Sequence, residues 1–362
     1  MNRSLQGELS AALDRLPGCL ADSRARRSLM AVASLLPGAL AAGPLGLEIR
    51  LAGPCAVDFF AAAAPGTAGF DALIASLRNA ENGCGWAEPA RARELAASLD
   101  RWQRREGPLP GIARYLLIEA DAPVDPDSAP AVPSIFLAPR GARDSFRPGQ
   151  PPNAFHRFVE ATVMAAAELG GIWPHPDTAR DLARVVEAIP KDGDIFAVGS
   201  MSGRRAGSSL RIAIRRLDAA GIQAVLRAAG RRKQADLLAE WALSIRAPRQ
   251  DLHFEIGPGA EQRVGLELSP RHDWKQALAE GWPDLLEDLV ARGVAEPDRA
   301  ACVTGLIRTD GEPLWGLAHV KVAADRSGML PVAKLYAGLL HRDRMEWPED
   351  QDREAERSRG MA

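Results

Sequence analysis

The sequence predicts an α+β fold of one repeated design, five cycles of two helices followed by two antiparallel strands. Three observations predict it. Paired stretches carry apolar residues three and four apart, paired stretches of apolar and polar alternation follow them, and the order returns through residues 1–342, read as one domain.

In the first cycle the helical period covers 4–15 and 23–35, and alternation takes over in GLEIRLAG and VDFF. The apolar run SLMAVASLLPGALAAGPLG inside this cycle is no export signal, because it starts late and a charged helix precedes it. With Pro37 and Pro44 inside it, it reads as a buried helix leading into a strand and not as a membrane span. The second cycle has helical 68–79 and 89–106, then RYLLIEAD and PSIFLAPR. The third has 154–170 and 177–189, then DIFAVGSMS and SLRIAIRRL. The fourth has 221–245, then DLHFEIG and RVGLELS, and the fifth has 273–307, then AHVKVAAD and PVAKLYAGL. Gly-containing links such as GPGAEQ and RSGML suit hairpins, whereas DAPVDPDSAPAVP is long and Pro-rich and suits a surface loop. The tail 343–362 is charged, poor in large apolar residues and expected to be weakly ordered.

Each strand has one apolar and one polar face. Leu47, Ile49 and Leu51 alternate with Glu48 and Arg50, Leu210, Ile212 and Ile214 with Arg211 and Arg215, and Leu252, Phe254 and Ile256 with His253 and Glu255. Val264, Leu266 and Leu268 oppose Arg263 and Glu267, and Val320 and Val322 oppose His319 and Lys321. Helices covering the apolar face leave the polar face to solvent or to a shared interior. Ten antiparallel strands covered on one side curl, and closure into a barrel removes the exposed edges, so a ten-stranded barrel with helices outside and a polar lumen is the favoured architecture. Open antiparallel sheets under one helix layer are the alternative.

Composition narrows the partners. The formal net charge is −2, with 45 basic and 47 acidic side chains intermixed, so neither nucleic acid nor an anionic membrane is an expected partner. Cys19, Cys55, Cys84 and Cys302 are scattered without a CxxC pair, which reads as a reducing cytoplasm with no zinc cluster and no disulfide framework. The histidines are likewise scattered, and no metal site is expected. Trp86, Trp102, Trp241, Trp274 and Trp282 fall on predicted helices or their ends and are expected to pack against the barrel.

On the closed reading the lumen holds Arg211, Arg215, Arg263, Lys321 and Lys334 as cations, and Glu48, Asp58, Glu119, Glu255 and Glu267 as anions. Tyr115, Tyr336, His253 and His319 join them. Confined cations of this kind suit a phosphate or diphosphate, and pairing with the carboxylates is the competing use of the same charges. Lys321 on one strand, with Lys334 and Tyr336 on the next, point to one side of a hairpin.

Five such repeats closing around a polar centre resemble the ABBA or PT-barrel prenyltransferases, the aromatic, indole and cyanobactin peptide enzymes. GSMSGRRAGSSLRIAI is similar to the central pattern of the peptide enzymes, and AKLYAG to the Lys-x-Tyr strands of the indole enzymes. The resemblance implies transfer of an allylic prenyl group from its diphosphate to an aromatic small molecule or peptide side chain. It implies Arg211, Arg263, Lys321, Lys334 and Tyr336 around the diphosphate, with Tyr336 and Tyr115 shielding the cation beside His253 and His319 in the lumen. Glu48, Glu255 or Glu267 would take the proton of the acceptor. No resident cofactor is implied, although Mg2+ can accompany the diphosphate. A non-catalytic barrel that binds a peptide or small molecule in biosynthesis is the other reading. No Asp-Asp-x-x-Asp run, P-loop, GxGxxG after a strand or GxSxG points elsewhere.

Overall fold

The computed structural model describes residues 4–79, 85–107, 109–123, 125–139, 161–169, 176–200, 210–257, 263–270, 281–308 and 315–339. The predicted tail 343–362, Cys84, His175 and Trp274 lie outside them.

Helices form where the apolar period predicts them, and short polar residues start them. Ser4 accepts from the Gly7 N–H at 3.1 Å ahead of α1 (Leu5–Arg15), and Asp22 from the Ala25 N–H at 2.8 Å ahead of α2 (Ser23–Leu35). A 3-10 turn, Gly38–Ala42, then leads into β1 (Leu45–Arg50) and β2 (Val57–Ala63). The second cycle comprises α3 (Ala68–Arg78), α4 (Pro89–Gln103), the short α5 (Leu109–Ile112), β3 (Ala113–Ala120) and β4 (Ser134–Pro139). The third has α6 (161–169), α7 (Pro176–Ala188), β5 (Asp194–Ser200) and β6 (Leu210–Arg215). In the fourth, the helical stretch 221–245 is two helices, α8 (Ala219–Ala228) and α9 (Arg232–Ser244), divided at Gly230 with φ 74°. The strands β7 (Arg249–Ile256) and β8 (Val264–Ser269) follow. The fifth divides in the same way at Gly293, φ 71°, into α10 (Trp282–Ala291) and α11 (Pro297–Arg308). Its strands are β9 (Trp315–Asp325), the two-residue β10 (Gly328–Met329) and β11 (Lys334–Leu339).

The strands form one closed antiparallel sheet of ten, with β10 a small extension at the end of β9. Sequential pairing runs from β1 to β9, then β9 pairs with β11 and β11 returns to β1, matching Glu48 to Tyr336 and Arg50 to Lys334. Hairpin loops ring one end of the barrel and helical connections ring the other. The favoured closed architecture therefore holds, and the open-sheet alternative is set aside.

Apolar strand faces point outward, under the helices. Leu47, Ile49, Leu210, Ile212, Leu252, Leu266 and Val320 are fully buried there, among a core that includes Phe70 and Trp102 in edge-to-face contact at 5.4 Å. Trp86, Trp102, Trp241 and Trp282 all belong to this layer, as predicted.

The inward face is nearly as buried as the outward one. Glu48, Glu255, Glu267 and Tyr336 are each at most 7% exposed, so side chains fill much of the lumen. Strand glycines explain how. A Cβ on Gly46 would lie 2.2 Å from the Phe60 ring, one on Gly199 2.4 Å from the Phe136 ring, and one on Gly265 2.5 Å from the Lys321 chain. Each glycine lets a long neighbouring side chain lie flat across the inner wall.

Candidate active site

Two chains of polar contacts line the lumen. On β1 and β11, Glu48 accepts hydrogen bonds from the Lys334 ammonium and the Tyr336 hydroxyl, joining residues 286 and 288 positions apart. On β7, β8 and β9, one oxygen of Glu267 faces His253 Nε2 at 2.9 Å, His319 Nε2 at 3.4 Å and Lys321 Nζ at 3.6 Å. The two imidazole contacts are close without the alignment of a good hydrogen bond. Arg211 on β6 meets Glu255 on β7 at 3.3 Å.

Tyr336 stands between the two chains. Its ring stacks on His319 with centroids 4.4 Å apart, lies 5.8 Å from Lys321 Nζ and contacts Phe60 at 5.9 Å. Beside it a small crevice of about 10 Å3, room for one water, is walled by Glu48, Asp58, Phe60, Glu119, Asp121 and Tyr336. The lumen therefore has an acidic part on β1 to β3, and a part on β6 to β9 that carries the histidines, Lys321 and Arg211.

Burial sets the protonation states. The Asp58 carboxyl, with the charges of Glu48 and Asp121 beside it, is pushed up to about 7, although Lys334 and the Ala122 N–H, 2.8 Å from Oδ1, pull the other way. Burial also raises the Tyr336 phenol well above its ordinary range, and the neighbouring carboxylates add to this, so it stays a donor to Glu48. Burial lowers His253 to about 4 against the pull of Glu267, and lowers the Lys321 ammonium as well. Burial works to raise Glu267, but the adjoining imidazoles outweigh it and hold this carboxyl well below the ordinary range. Glu267 is thus ionised and His253 neutral at neutral pH.

Most of the predicted site residues converge: Glu48, Lys334 and Tyr336 in one contact group, His253, Glu267, His319 and Lys321 in another, and Arg211 with Glu255 beside it. Arg263 does not join them. It precedes the first residue of β8, is exposed, and interacts with Asp325 on the hairpin rim. Tyr115 sits next to a register shift near the helix-connection end of β3, away from Glu119 at the other end of the strand. Arg215, read as a lumen cation, belongs to that end too, bound at 2.8 Å to Asp194, which also takes Arg216 at 3.3 Å. Arg249 meets Asp251 there at 3.0 Å.

No family model matches the chain, and no curated protein matches it. Among solved structures the chain is similar to AnaPT from Neosartorya fischeri, with a TM-score of 0.52 and 13% identity over 93% of this chain and 92% of that one. At that identity the likeness establishes the fold, the ABBA or PT barrel. Among the described residues no helix is long and apolar enough to cross a membrane, and no group of three or more His, Cys, Asp or Glu is arranged to hold a metal ion.

Proposed function

We propose that the protein is a prenyltransferase that moves an allylic prenyl group from its diphosphate to an aromatic small molecule or a peptide side chain. The observation that carries this is the division of one lumen by Tyr336. Arg211, Lys321 and the His319 ring lie on one side, and the carboxylates Glu48, Asp58 and Glu119 with Lys334 on the other, which suits a transfer between two substrates.

In this reading Lys321, Arg211 and Lys334 exchange their carboxylate partners for the oxygens of the leaving diphosphate, which carries more charge than any one carboxylate. The allylic carbon–oxygen bond breaks, and the ring faces of Tyr336 and His319 shield the carbocation. The acceptor, approaching from the acidic side, attacks and loses a proton to Glu48 or Asp58. Asp58, which the sequence places in the lumen without a role, suits this step because its carboxyl titrates near neutrality. Glu255 and Glu267, the other predicted bases, face the cations and act by orienting them. In this reading a Mg2+ that accompanies the diphosphate enters as part of the substrate.

One observation favours a non-catalytic binding protein instead. Arg211, Arg215, Lys321 and Lys334 each already have a carboxylate partner. Calorimetric titration with dimethylallyl, geranyl and farnesyl thio-diphosphates, with and without Mg2+, separates the two readings. Micromolar or tighter binding of one analogue, weakened at least tenfold by Lys321→Ala, is expected. No binding of any analogue would remove the transferase reading.

A further inference from the structure

Three cysteines scattered in sequence meet in space. Cys19 lies between α1 and α2, Cys55 in the β1–β2 hairpin loop, and Cys302 on α11. The scattered cysteines predict no disulfide framework, yet one pair, Cys19 and Cys302, forms a disulfide across 283 positions of sequence. Folding brings α11, from the last cycle, against the α1–α2 connection, from the first, and only tertiary closure creates that contact.

Cys55 is a free thiol packed against the backbone of Cys19. Its Sγ lies 3.5 Å from the Cys19 carbonyl oxygen and 3.5 Å from Nη2 of Arg299. Arg299, 7% exposed, also donates to the carbonyl oxygens of Arg50 at 3.2 Å and Gly53 at 2.5 Å, and pairs with Glu296 at 3.2 Å. Glu296 in turn accepts from the Gly53 N–H at 2.9 Å. The loop that carries Cys55 is therefore pinned to α11, and a fixed positive charge stands beside its sulfur. All three cysteines are half-buried.

We propose that Cys19, Cys55 and Cys302 form a thiol–disulfide exchange site where the first and last cycles meet. The Cys55 sulfur, as thiolate, attacks Cys19 Sγ. The Cys55–Cys19 bond forms as the Cys19–Cys302 bond breaks, and the released electron pair stays on Cys302, which takes up the proton that Cys55 gave up. The exchange needs no external oxidant or reductant. In one state the first helix pair is tied to α11, and in the other it is tied to the β1–β2 loop on the hairpin end of the barrel, leaving α11 unlinked.

The test uses the full chain. Cys302→Ser is treated with glutathione disulfide, which oxidises two protein thiols and leaves as two glutathiones. Remaining thiols are alkylated and the digest is mapped by mass spectrometry. A Cys19–Cys55 linked peptide as the main product is expected, and Cys55→Ser should yield only the Cys19–Cys302 peptide. Separate recovery of Cys19 and Cys55, alkylated or glutathionylated, from folded Cys302→Ser would overturn the proposal. If circular dichroism shows that this variant does not fold, the wild type held at pH 8.5 without reductant decides. A Cys19–Cys55 peptide there supports exchange, and its absence overturns it.

Discussion

Replacing Asp58 with Asn should stabilise the protein, and only above a definite pH. In the folded chain the Asp58 carboxyl keeps its proton to about pH 7, whereas its ordinary value is 3.8. Between those values the folded state binds more protons than the unfolded state, so wild-type stability falls as pH rises from about 4 to about 7 and then levels off. A separation of roughly three pH units at ~1.4 kcal/mol each makes the penalty about 4 kcal/mol above neutrality. For a chain of this length that is about 5 °C in Tm. Asn removes the titration while keeping an oxygen to accept from the Ala122 N–H. Urea unfolding of both proteins at pH 4.5, 6 and 8 measures the difference directly. The variant's advantage should be only about 1 kcal/mol at the lowest pH and should grow toward neutrality with a slope approaching 1.4 kcal/mol per pH unit. His253, whose lowered pKa makes wild-type stability fall in the opposite direction as pH drops from about 6.5 toward 4, is common to both proteins and largely cancels. A difference that stays flat from pH 4.5 to 8, or an Asn variant less stable at pH 8, would refute the reasoning.

Other consequences can be checked in the same way. Lys334→Ala should abolish turnover and cost about 3 kcal/mol, because Glu48 loses a counter-charge and keeps only the Tyr336 hydroxyl. Adding Glu48→Gln should restore most of the stability and none of the turnover, and restored turnover would remove Lys334 from the mechanism. Histidine NMR should find one imidazole, assigned to His253 by its loss in His253→Gln, that stays neutral down to about pH 4, and a midpoint near 6.5 would contradict its burial. Gly199→Ala should destabilise by about 1–3 kcal/mol in urea unfolding, since its Cβ would lie 2.5 Å from the Ile135 carbonyl oxygen as well as against Phe136. An unchanged midpoint would show that the wall can shift.

The fold was legible because its signals are local. Leu47, Ile49 and Leu51 against Glu48 announce a two-faced strand without any partner, and Gly230 and Gly293, in positive φ, could have marked the splits inside the two long helical stretches. The membership of the lumen followed from the same alternation. The pairing inside it did not. Glu48 meets Lys334 because β1 joins β11, and Glu267 gathers His253, His319 and Lys321 only once three strands are in register. Arg263 shows the limit of alternation: it has the inward parity of Glu267, but the strand starts one residue later, so it sits on the rim. The titration of Asp58 depends on Glu48 and Asp121 arriving from other strands, and no spacing in the sequence encodes that.

The meeting of β11 with β1 also bears on how the chain is made. A ribosome delivers β1 early, and the strand that covers its free side is Lys334–Leu339, almost three hundred residues later. Throughout that interval the nascent sheet can lengthen hairpin by hairpin, yet it presents an open row of N–H and C=O groups at β1 and another at its growing end. Shielding of those two edges, by a chaperone or by the speed of the final step, therefore governs how much newly made chain reaches the closed state. Release of a chain stopped just before Lys334 would leave both edges bare and favour self-association over a smaller version of the same barrel.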